Sequence, residues 1–152
     1  MATMLLDFVS QDKMVFSGQV SSIVAPGSEG QLGILPRHAP LMTVLAPGEV
    51  VVRRENDEDL YFAVSGGWME VRPDKVTILA RTAERPTEID IDRAKAARDR
   101  AERLLKEGAP HEDRPGIRLA LQRSRVRLNV GHQRHRRPGA PTAGEDFGEN
   151  GG

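Results

Sequence analysis

Short β-type runs separated by turn residues fill the chain from residue 4 to residue 80, and this alternation constrains the fold more than any other feature. No helical pattern of about 10–15 residues lies between the runs, which disfavours a parallel sheet built from βαβ units. About nine strands at this spacing predict an antiparallel β-sandwich or a flattened barrel. The predicted strands are 4–9, 14–16, 19–25, 41–45, 49–54, 60–64, 68–72 and 76–80, with a short one through Leu32, Ile34 and Leu35. The predicted turns include Ser17-Gly18, Pro26-Gly27, Pro47-Gly48, an acidic tip at 55–59, Ser65-Gly66-Gly67 and Pro73-Asp74.

The densest turn chemistry lies in residues 29–41, which read Glu-Gly-Gln-Leu-Gly-Ile-Leu-Pro-Arg-His-Ala-Pro-Leu. The glycines permit backbone angles that side chains resist, and Pro36 and Pro40 each fix a φ angle and remove an amide donor. We predict a tight turn, one short strand and a rigid exposed corner that carries Arg37 and His38. Taken alone, this pattern indicates a structural corner of a sandwich.

The composition changes at Arg85-Pro86, after which two helices are predicted. Thr87, followed by Asp90 three residues later, indicates a capped start for a helix over 90–107, and a linker then runs to Pro115-Gly116. A second helix is predicted over 117–130, with Arg118, Arg123, Arg125 and Arg127 on the face opposite its apolar residues. The two amphipathic helices form an antiparallel hairpin whose docking on the sandwich should be weak. Residues 131–152 contain few large apolar side chains and are predicted to be a disordered tail.

Charge is distributed unevenly, although 22 basic and 22 acidic side chains balance over the whole chain. Residues 1–86 carry 8 basic and 11 acidic side chains, whereas residues 87–152 carry 14 and 11. Seven arginines and no acid lie between Ile117 and Arg137, so nonspecific binding of nucleic acid through this segment is an alternative function. Against that alternative, the strands contain no exposed aromatic set for stacking bases.

Catalytic chemistry has few candidates in this chain. It has no cysteine, which excludes thiolate nucleophiles and disulfides. His38 is the only histidine in the first half and has no serine or carboxylate nearby in sequence to complete a catalytic set. Ser65-Gly66-Gly67 lacks the glycine spacing of a nucleophile elbow, so it is interpreted as a turn and Trp68 as a core or sheet-face aromatic. No apolar run approaches the length of a membrane span and no signal peptide is visible, so we expect a soluble, cytosolic protein.

Four segments together resemble the epsilon subunit of F-type ATP synthases. They are the corner at residues 30–41, the Pro47-Gly48-Glu49-Val50 turn, the turn and strand at 64–71 and the strand at 76–80, in the family's order and spacing. The resemblance implies a β-sandwich domain over 1–86, a regulatory helical hairpin over 87–130 and a tail over 131–152. It also implies that the sandwich binds the gamma subunit and the membrane c-ring, with Gln31, Arg37 and His38 as contact residues.

The resemblance further implies a non-catalytic rotor subunit that couples proton flow through the c-ring to ATP synthesis. The hairpin would either fold down on the sandwich or extend toward the alpha and beta subunits, where it would inhibit ATP hydrolysis. The location would be the cytoplasmic face of the bacterial plasma membrane, with the membrane reached only through the complex. No cofactor is required, and nucleic acid is not an expected partner.

A second motif at the root of the hairpin, Ile89-Asp90-Ile91-Asp92-Arg93-Ala94, resembles the ATP-binding segment of some bacterial epsilon subunits. The resemblance implies a regulatory ATP site that is made by Glu84, Ile89, Asp90, Arg93, Ala94, Arg100, Arg123 and Arg127. Arginine forks would pair with the phosphates. The alternative is that Asp90 only stabilises a helix start and that Arg93 and Arg100 belong to a solvated face.

Overall fold

Eight strands and then two helices follow each other along the part of the chain that the computed structural model describes, residues 2–135. The strands are β1 (Met4–Ser10), β2 (Met14–Val20), β3 (Ser22–Gly27), β4 (Gly30–Ile34), β5 (Leu41–Arg53), β6 (Leu60–Val71), β7 (Lys75–Ala80) and β8 (Ala83–Glu84). The helices are α1 (Ile91–Lys106) and α2 (Arg114–Gly131), and 3₁₀ turns occupy Pro86–Glu88, His111–Asp113 and His132–His135. The predicted sandwich followed by a helical hairpin is confirmed.

The strands form one sheet in the order β2-β1-β7-β6-β5-β3-β4, with β8 added beside β6. All neighbouring pairs are antiparallel except β1 and β7, which are parallel. Asp7 connects three of these strands, because the Ser17 hydroxyl donates to its Oδ1 at 2.7 Å and Lys75 Nζ lies 3.2 Å from its Oδ2. The Ser17 hydrogen bond, and then Lys75, lower the pKa of the Asp7 carboxyl. The stability that these contacts add is therefore present at neutral pH and is lost as the pH falls through that lowered pKa.

Two long strands, β5 and β6, bend and so fold the sheet over itself. They contain 13 and 12 residues, and their pairing steps from Leu45↔Gly67 to Pro47↔Ser65. The predicted turns at Pro47-Gly48 and Ser65-Gly66-Gly67 are therefore wrong, because both segments are bends inside continuous strands. The predicted break at Ser17-Gly18 is also wrong, since these residues lie within β2, whereas Pro26 and Gly27 are the last two residues of β3. In each case pairing with a neighbouring strand satisfies the backbone and outweighs the local turn preference.

The two halves of the folded sheet face each other across one apolar core. The rings of Phe8, from one half, and Phe62, from the other, lie 4.9 Å apart. Fully buried side chains fill the space around them: Met4, Leu6, Val20, Ile23, Ile34, Val50, Val52, Met69, Val71, Val76 and Ile78. A core of fully buried, closely packed side chains makes the sandwich stiff.

Gly67 is a residue at which the bend requires glycine. Its φ is +153°, and a Cβ added there would lie 2.8 Å from Ala80 Cα and in collision with the carbonyl oxygen of Leu79. The approaching atoms belong to the backbone of β7, which cannot move aside without breaking its pairing with β6. The close passage of these two strands therefore depends on the absence of a side chain.

The helices begin and end close to the predicted positions, with two differences. The first helix is capped by Asp90 itself, whose Oδ1 accepts from the Arg93 amide at 3.1 Å, whereas Thr87 lies in the preceding 3₁₀ turn. The second helix starts at Arg114, because Pro115 fits a first helical turn, so the prediction that the linker extends to Pro115-Gly116 is wrong. The helix continues to Gly131, and residues 136–152 of the predicted tail lie outside the described residues.

Helix α2 lies between α1 and the sheet. Ala94 and Ala101 of α1 and Leu121 and Leu128 of α2 are buried, so the hairpin has a small core of its own. At its root, Ile89 and Val130 form a separate apolar cluster with Ala63 of β6, and Tyr61, Ile91 and Val126 pack against this cluster. The hairpin is thus folded down on the sandwich.

We expect Gly67→Ala to lower the free energy of unfolding of the full chain by about 3 kcal/mol, through backbone strain and collision with β7. Urea unfolding followed by circular dichroism measures this. Gly33→Ala is the matched control, because an added Cβ at Gly33 meets nothing within 4 Å. The control should stay within about 0.5 kcal/mol of wild type. Equal small losses in both variants would contradict the role assigned to Gly67.

Candidate functional site

A cleft of about 450 Å³ separates the sheet from the hairpin beyond the root cluster. Its volume lies within the range of small-molecule sites, roughly 300–1,000 Å³. Strand β6 and the β7–β8 region supply one wall, and the two helices supply the other. The lining residues are Ala63, Val64, Ser65, Thr82, Glu84, Ala97, Ala120, Arg123, Ser124 and Arg127.

A forked ion pair crosses this cleft from the hairpin to the sandwich. Pairing of Ala63 with Glu84 fixes β8 against β6 and so places the Glu84 carboxylate. Arg127 Nε donates to Glu84 Oε2 at 2.7 Å, and its Nη2 donates to Oε1 at 3.2 Å. The two side chains are 33% and 30% exposed. Such two-point charge-assisted contacts fix geometry more strictly than a single bond does.

Arg123 lies one helical turn before Arg127 and lines the same cleft. Within residues 2–135, its side chain makes no salt bridge. The cleft therefore contains two guanidinium groups and one carboxylate, a net positive lining that suits an anion. The prediction of a single arginine face on α2 is wrong, because Arg123 and Arg127, four residues apart, line the cleft, whereas Arg118 and Arg125 do not.

The predicted site residues of the first helix have different surroundings. Asp90 caps α1, as described above, and Ile89 and Ala94 are buried. Arg93 and Arg100 are exposed, and by helical spacing they share a stripe of α1 with Ala97, which lines the cleft. The structure thus brings Glu84, Arg123 and Arg127 together in one cleft, whereas Arg93 and Arg100 lie on the helix stripe beside it.

The predicted contact residues lie in β4, which contains Gln31, and in the corner that follows it, which carries Arg37 and His38. Gln31 and Arg37 are exposed, and Arg37 has a φ of 66°, a left-handed conformation that is uncommon for a residue with a side chain. The Arg37 amide donates to the Pro73 carbonyl at 2.8 Å, and the His38 amide donates to the Leu35 carbonyl at 3.1 Å. These bonds hold the corner against the β6–β7 turn and present Arg37 to solvent.

An exposed apolar row crosses the outer face of the same half of the sandwich. Val44, Trp68 and Leu79 are directly opposite one another on β5, β6 and β7. They are 43%, 55% and 53% exposed, respectively. This row was not predicted as a site. The alternation of Trp68, Glu70 and Arg72 against buried Met69 and Val71 was the signal that Trp68 faces outward.

No group of three or more His, Asp or Glu side chains in the described part of the chain is placed to hold a metal ion. His38 forms its ring contact with its neighbour, since Nδ1 lies 2.7 Å from the Ala39 carbonyl oxygen. None of the helices between residues 2 and 135 is both long and apolar enough to cross a membrane.

Two family models together match residues 3–131 of the chain. The beta-sandwich domain of the ATP synthase Delta/Epsilon chain matches residues 3–86, and the long alpha-helix domain of the same chain matches residues 87–131. The ATP synthase epsilon chain of Brevibacillus brevis is 48% identical over 130 residues, covering 86% of this chain and 98% of the relative. That of Herpetosiphon aurantiacus is 46% identical over 132 residues, covering 87% and 96%.

Similar solved structures also come from ATP synthases. A chain in the Euglena gracilis mitochondrial ATP synthase structure, which comprises OSCP, F1 and the c-ring, matches with a TM-score of 0.75 and 26% identity, covering 85% of this chain and 81% of that one. A chain in the Tetrahymena thermophila mitochondrial ATP synthase structure of the central stalk and c-ring matches with a TM-score of 0.51 and 18% identity, covering 88% and 96%. The second match concerns the fold alone.

Proposed function

The chain belongs to the ATP synthase epsilon-chain family, and from that premise we propose that its stiff sandwich carries torque while its loosely docked hairpin regulates hydrolysis. It is a non-catalytic subunit in the central stalk of an F-type ATPase, whose complex couples proton transport to ATP synthesis. The observation that carries the proposal for the hairpin is its docking across an arginine-lined cleft rather than through a continuous apolar interface.

The gamma subunit is the partner proposed for the apolar row of Val44, Trp68 and Leu79. Exposed apolar rows of this kind, rimmed by polar residues such as Glu70 and Arg81, are typical of protein interfaces. An aromatic anchor among flat strands supplies most of the binding energy in many interfaces. A rigid sheet also transmits force to a bound partner with little deformation.

The c-ring is the partner proposed for the corner with Gln31, Arg37 and His38. Residues held in sparsely populated backbone regions cost free energy and persist where the surrounding structure imposes them. Here the hydrogen bond from the Arg37 amide to the Pro73 carbonyl holds Arg37 in its left-handed backbone conformation. The corner therefore presents an exposed positive charge at a defined position. Contact with the ring places the protein peripherally at the cytoplasmic face of a bacterial plasma membrane.

ATP is the regulatory ligand proposed for the cleft. Arg123 and Arg127 line it, the latter paired with Glu84, and Arg93 and Arg100 flank it on α1, so the guanidinium groups of both helices lie near the place where phosphates would bind. Folding the hairpin down brings these like charges near one another, which a triphosphate would offset. A ligand that binds only the folded-down form would shift the hairpin toward it and so release the brake.

The nucleic-acid alternative is not supported. Arg127 is paired with Glu84 and Arg125 with Glu102, and Arg123 faces the cleft, so the arginines of α2 do not form one continuous basic surface. When the hairpin extends, Arg123 and Arg127 would leave the cleft and all four arginines would face away from the sandwich. We propose that these side chains then meet acidic loops of the alpha and beta subunits.

We expect Trp68→Ser to weaken binding of the gamma subunit by about 30-fold or more, as is usual for a central aromatic anchor. Isothermal titration with purified gamma measures the affinity. Because Trp68 is exposed, the thermal unfolding of the variant should match that of wild type. Leu104→Gln, an exposed leucine on α1, is the control and should bind normally. An unchanged affinity for Trp68→Ser would place the gamma contact elsewhere.

Removal of residues 87–152 should raise ATP hydrolysis by the reconstituted complex several-fold while assembly is preserved. The reason is that the proposed brake lies entirely in this segment. Steady-state hydrolysis and gel filtration of the complex measure the two effects. Removal of residues 136–152 alone is the control and should leave hydrolysis at the wild-type rate. Equal rates with and without the hairpin would exclude a braking function.

Titration of the isolated full chain with ATP should show saturable binding that weakens as salt rises. Asp90→Asn keeps an N-cap side chain while it removes the charge, so a loss of affinity in this variant would not reflect helix fraying. Arg93→Gln and Arg123→Gln should each weaken binding by about tenfold. Arg118→Gln, on the exposed side of α2, is the control. No saturable heat up to millimolar ATP would mean that Asp90 is only a cap.

A further inference from the structure

The contact between hairpin and sandwich changes character along α2. At the root it is apolar, where Val130 and Ile89 pack on Ala63. Further from the root it opens into the cleft, whose non-charged lining consists mostly of small residues that do not fill it. A cleft of about 450 Å³ means that the dispersion contacts of a packed interface are missing there. Apolar burial alone therefore holds only the root of the hairpin.

Polar contacts span the rest of this interface. Between α2 and the sheet these contacts include the Glu84–Arg127 fork and a hydrogen bond from Gln122 Nε2 to the Pro47 carbonyl at 3.2 Å. Just beyond α2, Gln133 Nε2 also donates to Glu49 Oε2 at 3.3 Å. The Gln122 contact is exposed, so water can replace it at little cost. The fork is half-buried and has two charge-assisted bonds, so it is stronger than the Gln122 contact.

We propose that the Glu84–Arg127 pair is a latch that holds the hairpin closed on the sandwich in the absence of any nucleotide. Glu84 belongs to the sandwich, because β8 is paired with β6. Arg127 belongs to the hairpin, where it directly follows Val126 and lies about one turn before Val130, both of the root cluster. Opening of the hairpin separates the two groups, so the pair favours the closed form by the free energy of this one contact. The inference rests on the proposed mobility of the hairpin and concerns what sets its resting position.

The pair is distinguished from a neighbouring ion pair that has no such role. Arg125 Nη2 lies 3.4 Å from Glu102 Oε1, but both residues belong to the hairpin and move together when it opens. Loss of that pair would change the stability of the hairpin itself without changing its attachment to the sheet. It is therefore a matched control for charge removal on α2.

The test uses the full chain without nucleotide. Because the chain has no cysteine, spin labels can be attached uniquely at Asp12→Cys on the β1–β2 turn and at Glu107→Cys at the far end of α1. Electron-spin distance distributions then give the ratio of closed to open hairpin. We expect Glu84→Gln and Arg127→Gln each to lower that ratio by about five- to tenfold, as expected for a charge-assisted pair that is partly screened by water. Raising the salt concentration should lower the ratio in wild type and have little effect in these variants.

The exchange variant, Glu84→Arg combined with Arg127→Glu, should return the ratio toward the wild-type value. Arg125→Gln should leave it unchanged. Unchanged distances in both single variants would overturn the latch, as would an equal opening in Arg125→Gln or an exchange variant that stays as open as the single ones. Because no ATP and no other subunit is present, these outcomes are independent of the ATP titration and of the hydrolysis assay. Circular dichroism melts of each variant show that the sandwich is folded.

Discussion

The shared bend of β5 and β6 determines the rest of the molecule. Between Leu45↔Gly67 and Pro47↔Ser65 the two strands turn together, so that one sheet becomes two facing layers and a core closes around Phe8 and Phe62. The bend is possible because β7 passes Gly67 at a distance that no other residue tolerates. The apolar row of Val44, Trp68 and Leu79 lies on one side of the bend. Strand β8, whose Glu84 binds the hairpin, lies on the other side.

A difference in packing separates the stiff part of the molecule from the movable part. The sandwich buries its large side chains completely, and interiors of that kind change shape only at high cost. The hairpin rests on one small cluster around Ile89 and Val130 and on polar contacts across a cleft. Elements with few buried apolar contacts are the ones that open at low free energy. The proposed combination of a torque-carrying sandwich and a regulatory hairpin needs both properties in one chain.

Alternation of apolar and polar residues was enough to predict the sandwich, the hairpin and most strand positions. Turn residues were less decisive, because Pro47-Gly48 and Ser65-Gly66-Gly67 suit a hairpin turn and a bend in a continuous strand equally well. The pairing of β5 with β6 on both sides of these residues distinguishes the two, and it is a contact between strands that no local pattern reports. The helical spacing of Arg123 and Arg127 could have separated them from Arg118 and Arg125, but their partner Glu84 is distant along the chain and no local pattern points to it.

Strand β6 connects the proposed binding surfaces directly. Ala63 and Val64 pair with β8 and so position Glu84, whereas Trp68, four residues after Val64, projects from the outer face. Between them, Ser65 is fixed to Thr82 through a hydroxyl contact of 2.7 Å, and Gly66 accepts from the Arg81 amide at 3.0 Å. Force applied by a partner at Trp68 therefore reaches the attachment point of the hairpin through a few covalent bonds that are braced on both sides. A flexible connection between Val64 and Trp68 would let the sandwich rotate without moving its hairpin. The braced bend in β6 prevents this independent rotation.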